Sequence, residues 1–216
     1  MNYFPSDKYN LAWFKLAECV ARGEKERALG VYRLLSHSIA DQAYALQLEG
    51  DLLLAFKDEL AYDKYRAAIA WYHKANRLQE ATAIGEHMAL LCPHDSEVVE
   101  LLLNLYQNLE SLEKVVHYGG VLVDIFVTNQ QFDNIESTIQ RYAAPLTPTN
   151  KTRLYKEVVR RYVRNKRGPK DVGVALLHTL LLFLIDAHNE PELHLFLDEL
   201  ETLHPGYYQE ACAFIQ

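Results

Sequence analysis

Cysteine, proline and glycine are all scarce in this chain of 216 residues, and each scarcity excludes something. The three cysteines, Cys19, Cys92 and Cys212, stand far apart with no C-x-x-C pair. That spacing argues against a disulfide framework and a zinc ribbon, and it suits a reduced compartment. The nine glycines build no phosphate-cradling loop: G-x-x-x-x-G-K-[ST] and G-x-G-x-x-G are both missing, as are G-x-S-x-G and H-E-x-x-H. Neither an enzyme nor a bound cofactor or metal is therefore expected. Basic residues are in deficit, 22 against 29 acidic, and the net charge of −7 weighs against a polyanion-binding protein. Long apolar runs are lacking too. The greasiest segment, 172–185, offers 14 uncharged residues where a membrane span needs about 20, so it reads as a central helix covered by neighbours. Residues 1–5 carry no basic start leading into an apolar stretch, so no signal peptide is expected. The expected location is cytoplasmic.

What the chain does have is helical periodicity. Half of its residues are apolar, and in the proline-free stretch 6–92 they recur at three- and four-residue steps. The pattern predicts helices near 7–21, 24–37, 41–57, 59–75, 77–92, 95–108, 111–128, 131–143, 149–166, 171–188, 191–204 and 206–215. Start signals stand at Asp95, at Thr149-Asn150 and at Asn189 ahead of Pro191. No window alternates apolar and polar residues long enough for a strand. The short connections turn consecutive helices back on one another, so the expected fold class is all-α.

Comparison of the chain with itself reveals a recurrence at 34 residues. Tyr65, Ala68, Ile69, Tyr72, Ala81, Gly85 and Met88 return as Val99, Leu102, Leu103, Tyr106, Val115, Gly119 and Leu122. The first four of each set share a face of one helix, and the last three share a face of the next. Small residues (Ala81, Gly85, Gly119) let two helices approach, while Tyr72 and Tyr106 fill the space beside them. Ala28-x-x-x-Tyr32-x-x-Leu35 and Ala68-x-x-x-Tyr72-x-x-Ala75 share one spacing, and Pro93 follows the helix that contains Ala81. On these residues the chain resembles the tetratricopeptide repeat (TPR) family. The resemblance covers residues 1–128, within which 58–75 fit either helix of a pair. Residues 129–216 read as a helical continuation of the same solenoid, with a basic helix at 149–167. The resemblance implies an α-α superhelix, a TPR-like stack of antiparallel hairpins whose first helices line a concave groove. It also implies an adaptor or scaffold that binds a peptide or helix of another protein. The groove positions would be Arg66, His73 and Lys74 on one first helix and Glu100, Asn104 and Asn108 on the next. Of these only Arg66 and Asn104 could belong to the carboxylate clamp some members carry, so a chaperone-tail ligand is not supported.

Charge is unevenly spread. Residues 151–170 hold nine basic residues and one acid, a net +8 that leaves −15 on the rest. On a helix Arg153, Lys156, Arg160, Arg164 and Arg167 form one stripe, opposite Leu154, Tyr155, Val158, Val159, Tyr162 and Val163. The stripe reads either as a solvated face near Glu136, Asp186 or Glu190, or as a docking face for an acidic segment of a partner protein. Nucleic acid is the alternative partner, disfavoured because no aromatics interleave with the stripe and the sequence pI is 5.7. Arg160 and Arg164 are expected to face away from the core, so that reversing both leaves the fold intact. Self-association stays open. The fourteen tyrosines read as packing wedges with solvent-facing hydroxyls, and His178 as a hydrogen-bonded core residue.

Overall fold

The computed structural model describes the backbone of residues 6–216 and the side chains of residues 11–216. Over that range the protein is all-α, with twelve helices and no strand. Every helix begins and ends within two residues of the limits expected from periodicity. The chain divides into two compact units, Met1–Leu91 and Cys92–Gln216. The first holds α1 (Ser6–Ala21), α2 (Lys25–Ser36), α3 (Gln42–Ala55), α4 (Leu60–Lys74) and α5 (Leu78–Leu91). The second holds α6 (Ser96–Asn108), α7 (Leu112–Thr128), α8 (Asp133–Ala143), α9 (Pro148–Asn165), α10 (Lys170–Asp186), α11 (Glu190–Leu203) and α12 (Pro205–Ile215). Cys92 lies just beyond α5 rather than within a helix.

The helix starts follow from local chemistry. Asp41 accepts from the backbone N–H of Ala43 at 3.0 Å and of Tyr44 at 3.2 Å, which caps α3. Asp95 does the same for α6 and Asn189 for α11, as their sequence positions suggest. For α9 the cap is Thr147 with Pro148 behind it, two residues ahead of the Thr149-Asn150 start.

The helix ends hold a repeat that the side chains conceal. Gly23, Lys57, Asn76, Glu110, Gln130 and His188 all adopt positive φ, between 48° and 73°. At each, the N–H of that residue bonds three residues back and the next N–H bonds five back, as in Ser111 N–H to Tyr106 O at 3.0 Å. These are six Schellman turns. Gly23 and Lys57 lie 34 residues apart, and so do Asn76 and Glu110. Only one of the six is glycine. A left-handed non-glycine residue costs about 1–2 kcal/mol, and glycine returns roughly half of that gain as unfolded-chain entropy. Glu110→Gly and Gln130→Gly are therefore each expected to stabilise by about 0.5–1 kcal/mol, read as a rise in urea midpoint at unchanged m.

Within the first unit α2 packs on α1, α4 on α3, and α5 on α4. Ala28, Ala61, Ala68 and Ala81 are wholly buried, and large rings sit beside them at Tyr32, Tyr65 and Tyr72. Three of the tyrosine hydroxyls are tied to other helices instead of facing solvent as expected. Tyr32 donates to the Ala45 carbonyl, Tyr65 to Asp51 at 2.8 Å and Tyr72 to Gln47 at 3.1 Å, so each ring fastens one helix to another. Burial pushes Tyr32 up to about 12, with Glu49 adding to the effect, so its hydroxyl stays a donor at any physiological pH.

In the second unit α6 packs on α7, but the main neighbour of α7 is α9 rather than the short α8. Gly119 and Gly120 make this crossing close: they face Leu154 and Arg161 of α9. The apolar residues expected on the inner side of α9, from Leu154 to Val163, are all buried. Helix α10 touches α8, α9, α11 and α12 and buries Leu176, Leu177, Leu180, Leu181 and Leu184, as expected of a central helix. Among the described residues no helix is long and apolar enough to cross a membrane. His178 is half-buried on α10 and stacks on Phe214 at 4.1 Å between centroids, rather than sitting hydrogen-bonded in the core.

Candidate functional site

Two open clefts lie side by side on the first unit, and Asp51 lines both. One, of about 430 Å³, is apolar: Trp13, Leu16 and Val20 of α1 face Leu48, Leu52 and Ala55 of α3. The other, of about 320 Å³, runs between α3 and α5 over α4 and is lined by Gln47, Asp51, Tyr65, Glu80, Ala83, Ile84 and His87. Gln47, Leu48, Asp51, Leu52 and Ala55 stand at steps of one, three, one and three, which places them along one side of α3. Alternate helices α1, α3 and α5 thus supply the walls, while α2 and α4 contribute Tyr32 and Tyr65.

The polar cleft is organised around Tyr65. Its ring is wholly buried, its hydroxyl donates to Asp51, and the His87 ring meets it edge-on at 5.6 Å. Burial, then the hydrogen bond and charge of Asp51, raise the Tyr65 phenol well above its ordinary range, so it serves as donor and never as base. Glu80 is held by the Arg77 guanidinium at 2.8 Å, which keeps its carboxyl below the usual range. Arg77 also pairs with Asp41, joining the cap of α3 to the turn before α5. Among the described residues no lysine or arginine lines either cleft. The combination of a carboxylate acceptor, an imidazole and an adjoining apolar wall suits a segment with apolar side chains and a hydrogen-bond donor or cation. It does not resemble a nucleophile with its base.

The groove positions derived from the 34-residue phase fall elsewhere. Arg66, His73 and Lys74 are exposed on α4 and line neither cleft. The reason is rotational: Tyr65 faces the cleft floor, and Arg66 and His73 lie about 100° further round the helix. In the second unit Glu100 is half-buried and engaged by Arg141 and by the Tyr142 hydroxyl, while Asn104 and Asn108 are exposed. The cleft residues Leu48 and Asp51 carry no such phase signal, because α3 is apolar on most sides and its inward face cannot be chosen from periodicity. His87 stands on α5, a second helix in the 34-residue phase, and Trp13 on α1, ahead of the recurrence.

The basic stripe divides in two. Lys156 pairs with Glu192 at 2.5 Å, and Arg160 grips Glu199 with two hydrogen bonds of 2.6 and 2.7 Å. Their partners are carboxylates of α11, not the expected Glu136, Asp186 or Glu190. These pairs fasten α11 to α9, so the expectation that Arg160 can be reversed without consequence for the fold is corrected. Arg161, off the stripe, joins Glu157 and Asp124. Arg153, Arg164 and Arg167 are exposed with no ion pair among the described residues. Comparison with known proteins finds no family profile that matches this chain and no curated sequence that matches it.

Proposed function

We propose that this protein is a TPR-like adaptor, a non-enzymatic cytoplasmic module that binds a segment of another protein. The observation that carries this reading is the pair of clefts joined at Asp51, walled by alternate helices of the first unit. An amphipathic helix or extended peptide would set apolar side chains between Trp13 and Leu52 and a lysine or arginine near Asp51 and His87. The hydrogen-bonded tyrosines beneath keep the walls fixed, so little ordering entropy is lost on binding. The exposed end of the basic stripe would steer an acidic surface of the same partner at longer range.

Selection from a random peptide display library against the full chain tests the reading. The selected sequences should be enriched in apolar residues flanking a lysine or arginine. Asp51→Lys and Ala83→Trp should each weaken the selected peptide about tenfold or more, about 1.4 kcal/mol, with His73→Ala and Lys74→Ala neutral. The opposite pattern would move the binding face to the outer side of α4 and end this assignment.

A further inference from the structure

The second unit contains a small cavity that is independent of the clefts and of any peptide bound there. It measures about 210 Å³ and lies where α9 ends, α10 begins and α11 gives way to α12. Lys166, Gly168, Lys170, His204, Tyr162 and Tyr207 line it, and among the described residues no carboxylate does. The sequence across its mouth is unusually basic: Arg164, Lys166, Arg167 and Lys170 fall within seven residues. Arg164, Lys166 and Arg167 are exposed and have no ion pair among the described residues.

Three further observations point to groups at this cavity that lack a hydrogen-bond partner. Helix α10 starts at Lys170 behind Pro169, and α12 starts at Pro205 behind His204, and neither start has a side-chain cap. In α10 the amides ahead of Gly173, the first to bond back to the Pro169 carbonyl, are donors in need of acceptors. In α12 residue 205 is proline, and Tyr207 and Tyr208 already donate to the His204 carbonyl, which leaves Gly206. Both sets lie at the positive ends of helices. His204 Nδ1 is the third: it is buried and has no hydrogen-bond partner. A buried nitrogen left unsatisfied is costly, so the site lacks an acceptor or donor that a ligand could provide. Two carboxylates oppose this field. Glu210 already holds Lys170 at 2.6 Å, and Asp171 acts on Tyr162 and Tyr207. The Tyr162 hydroxyl donates to the Pro169 carbonyl at 2.7 Å, which braces the 166–169 loop in front of α10.

We propose that this cavity binds a phosphate group, with Lys166 and Lys170 as counter-cations, and His204 Nδ1, the uncapped amides of α10 and the Gly206 amide of α12 as hydrogen-bond donors. The chemistry is that of an oxyanion at helix N-termini, reinforced by lysines that act as point charges. Lys170 exchanges Glu210 for the ligand or bridges the two. A phosphate monoester and free phosphate share this chemistry, and the test separates them.

The imidazole resonances of the full chain are followed by NMR during titration with inorganic phosphate, with O-phosphoserine, and with chloride at matched ionic strength. The expected result is a saturable shift of His204 with either phosphate compound, absent with chloride. Tighter binding of O-phosphoserine identifies a phosphorylated side chain as the source, and tighter binding of inorganic phosphate identifies the free ion. Lys166→Gln with Lys170→Gln should weaken binding about tenfold or more, whereas Arg153→Gln, at the far end of α9, should leave it unchanged. Lys166 and Lys170 are exposed, and an unchanged thermal melt of the double variant confirms that its fold is intact. Equal shifts with chloride and phosphate overturn the proposal. So does an Arg153→Gln variant as weak as the lysine pair, because the attraction would then be diffuse.

Discussion

Gly50→Val should destabilise the protein by roughly 1–3 kcal/mol, while Gly30→Ala should stabilise it by about 0.5–1 kcal/mol. Both glycines lie inside helices, and helix propensity alone predicts a gain from replacing either. Their surroundings reverse the sign at position 50. A Cβ there would stand 2.7 and 2.8 Å from two ring carbons of Tyr65. That ring is 1% exposed, is tied to Asp51 through its hydroxyl and meets His87, so it cannot swing aside without losing these contacts. At position 30 a Cβ meets nothing within 4 Å. Urea midpoints at constant m would show the opposite signs. Because Tyr65 lines the polar cleft, Gly50→Val should also weaken a peptide bound there. A Gly50→Val protein as stable as the parent would show that α3 and α4 are further apart than described.

The α7–α9 crossing should show strong coupling between Gly119 and Leu154. Leu154 is completely buried, and its Cδ1 lies 2.6 Å from where a Cβ on residue 119 would stand. Leu154→Ala should cost about 2–5 kcal/mol through lost burial and a residual cavity. Gly119→Ala should cost about 1–3 kcal/mol by overpacking against the same side chain. In the double variant the new methyl occupies part of the space that Leu154 vacates. The combined loss should then fall short of the sum by about 1 kcal/mol or more, as contacting residues do in a double-mutant cycle. Additivity within about 0.5 kcal/mol would mean that the two residues do not touch.

Much of this fold is legible in the residues. The spacing of apolar positions places all twelve helices, and Asp95 and Asn189 cap two of them where they stand. The inner side of α9 can be drawn from its alternation with arginine and lysine, since a strongly amphipathic helix has only one way to face its core. Helix α3 has no such asymmetry, and that is why the clefts were not visible. Five of the six Schellman turns were hidden for a different reason: lysine, asparagine, glutamate, glutamine and histidine fill positions where glycine would have announced the turn.

By itself the sequence determined the local layer: helical class, helix limits, a 34-residue recurrence, and the charge of the 151–170 segment. These depend on interactions between residues a few positions apart, which periodicity records directly. Tertiary structure decided which helix faces touch and which charges are spent. It made α9, not the next helix α8, the main neighbour of α7, and put Lys156 and Arg160 to work on carboxylates 36 and 39 residues away. It also turned Tyr65 toward Asp51 and left Arg66 and His73 on the outside. The rotation of a helix about its axis is fixed by the volumes and hydrogen bonds of its neighbours, and those lie too far along the chain for any local pattern to encode.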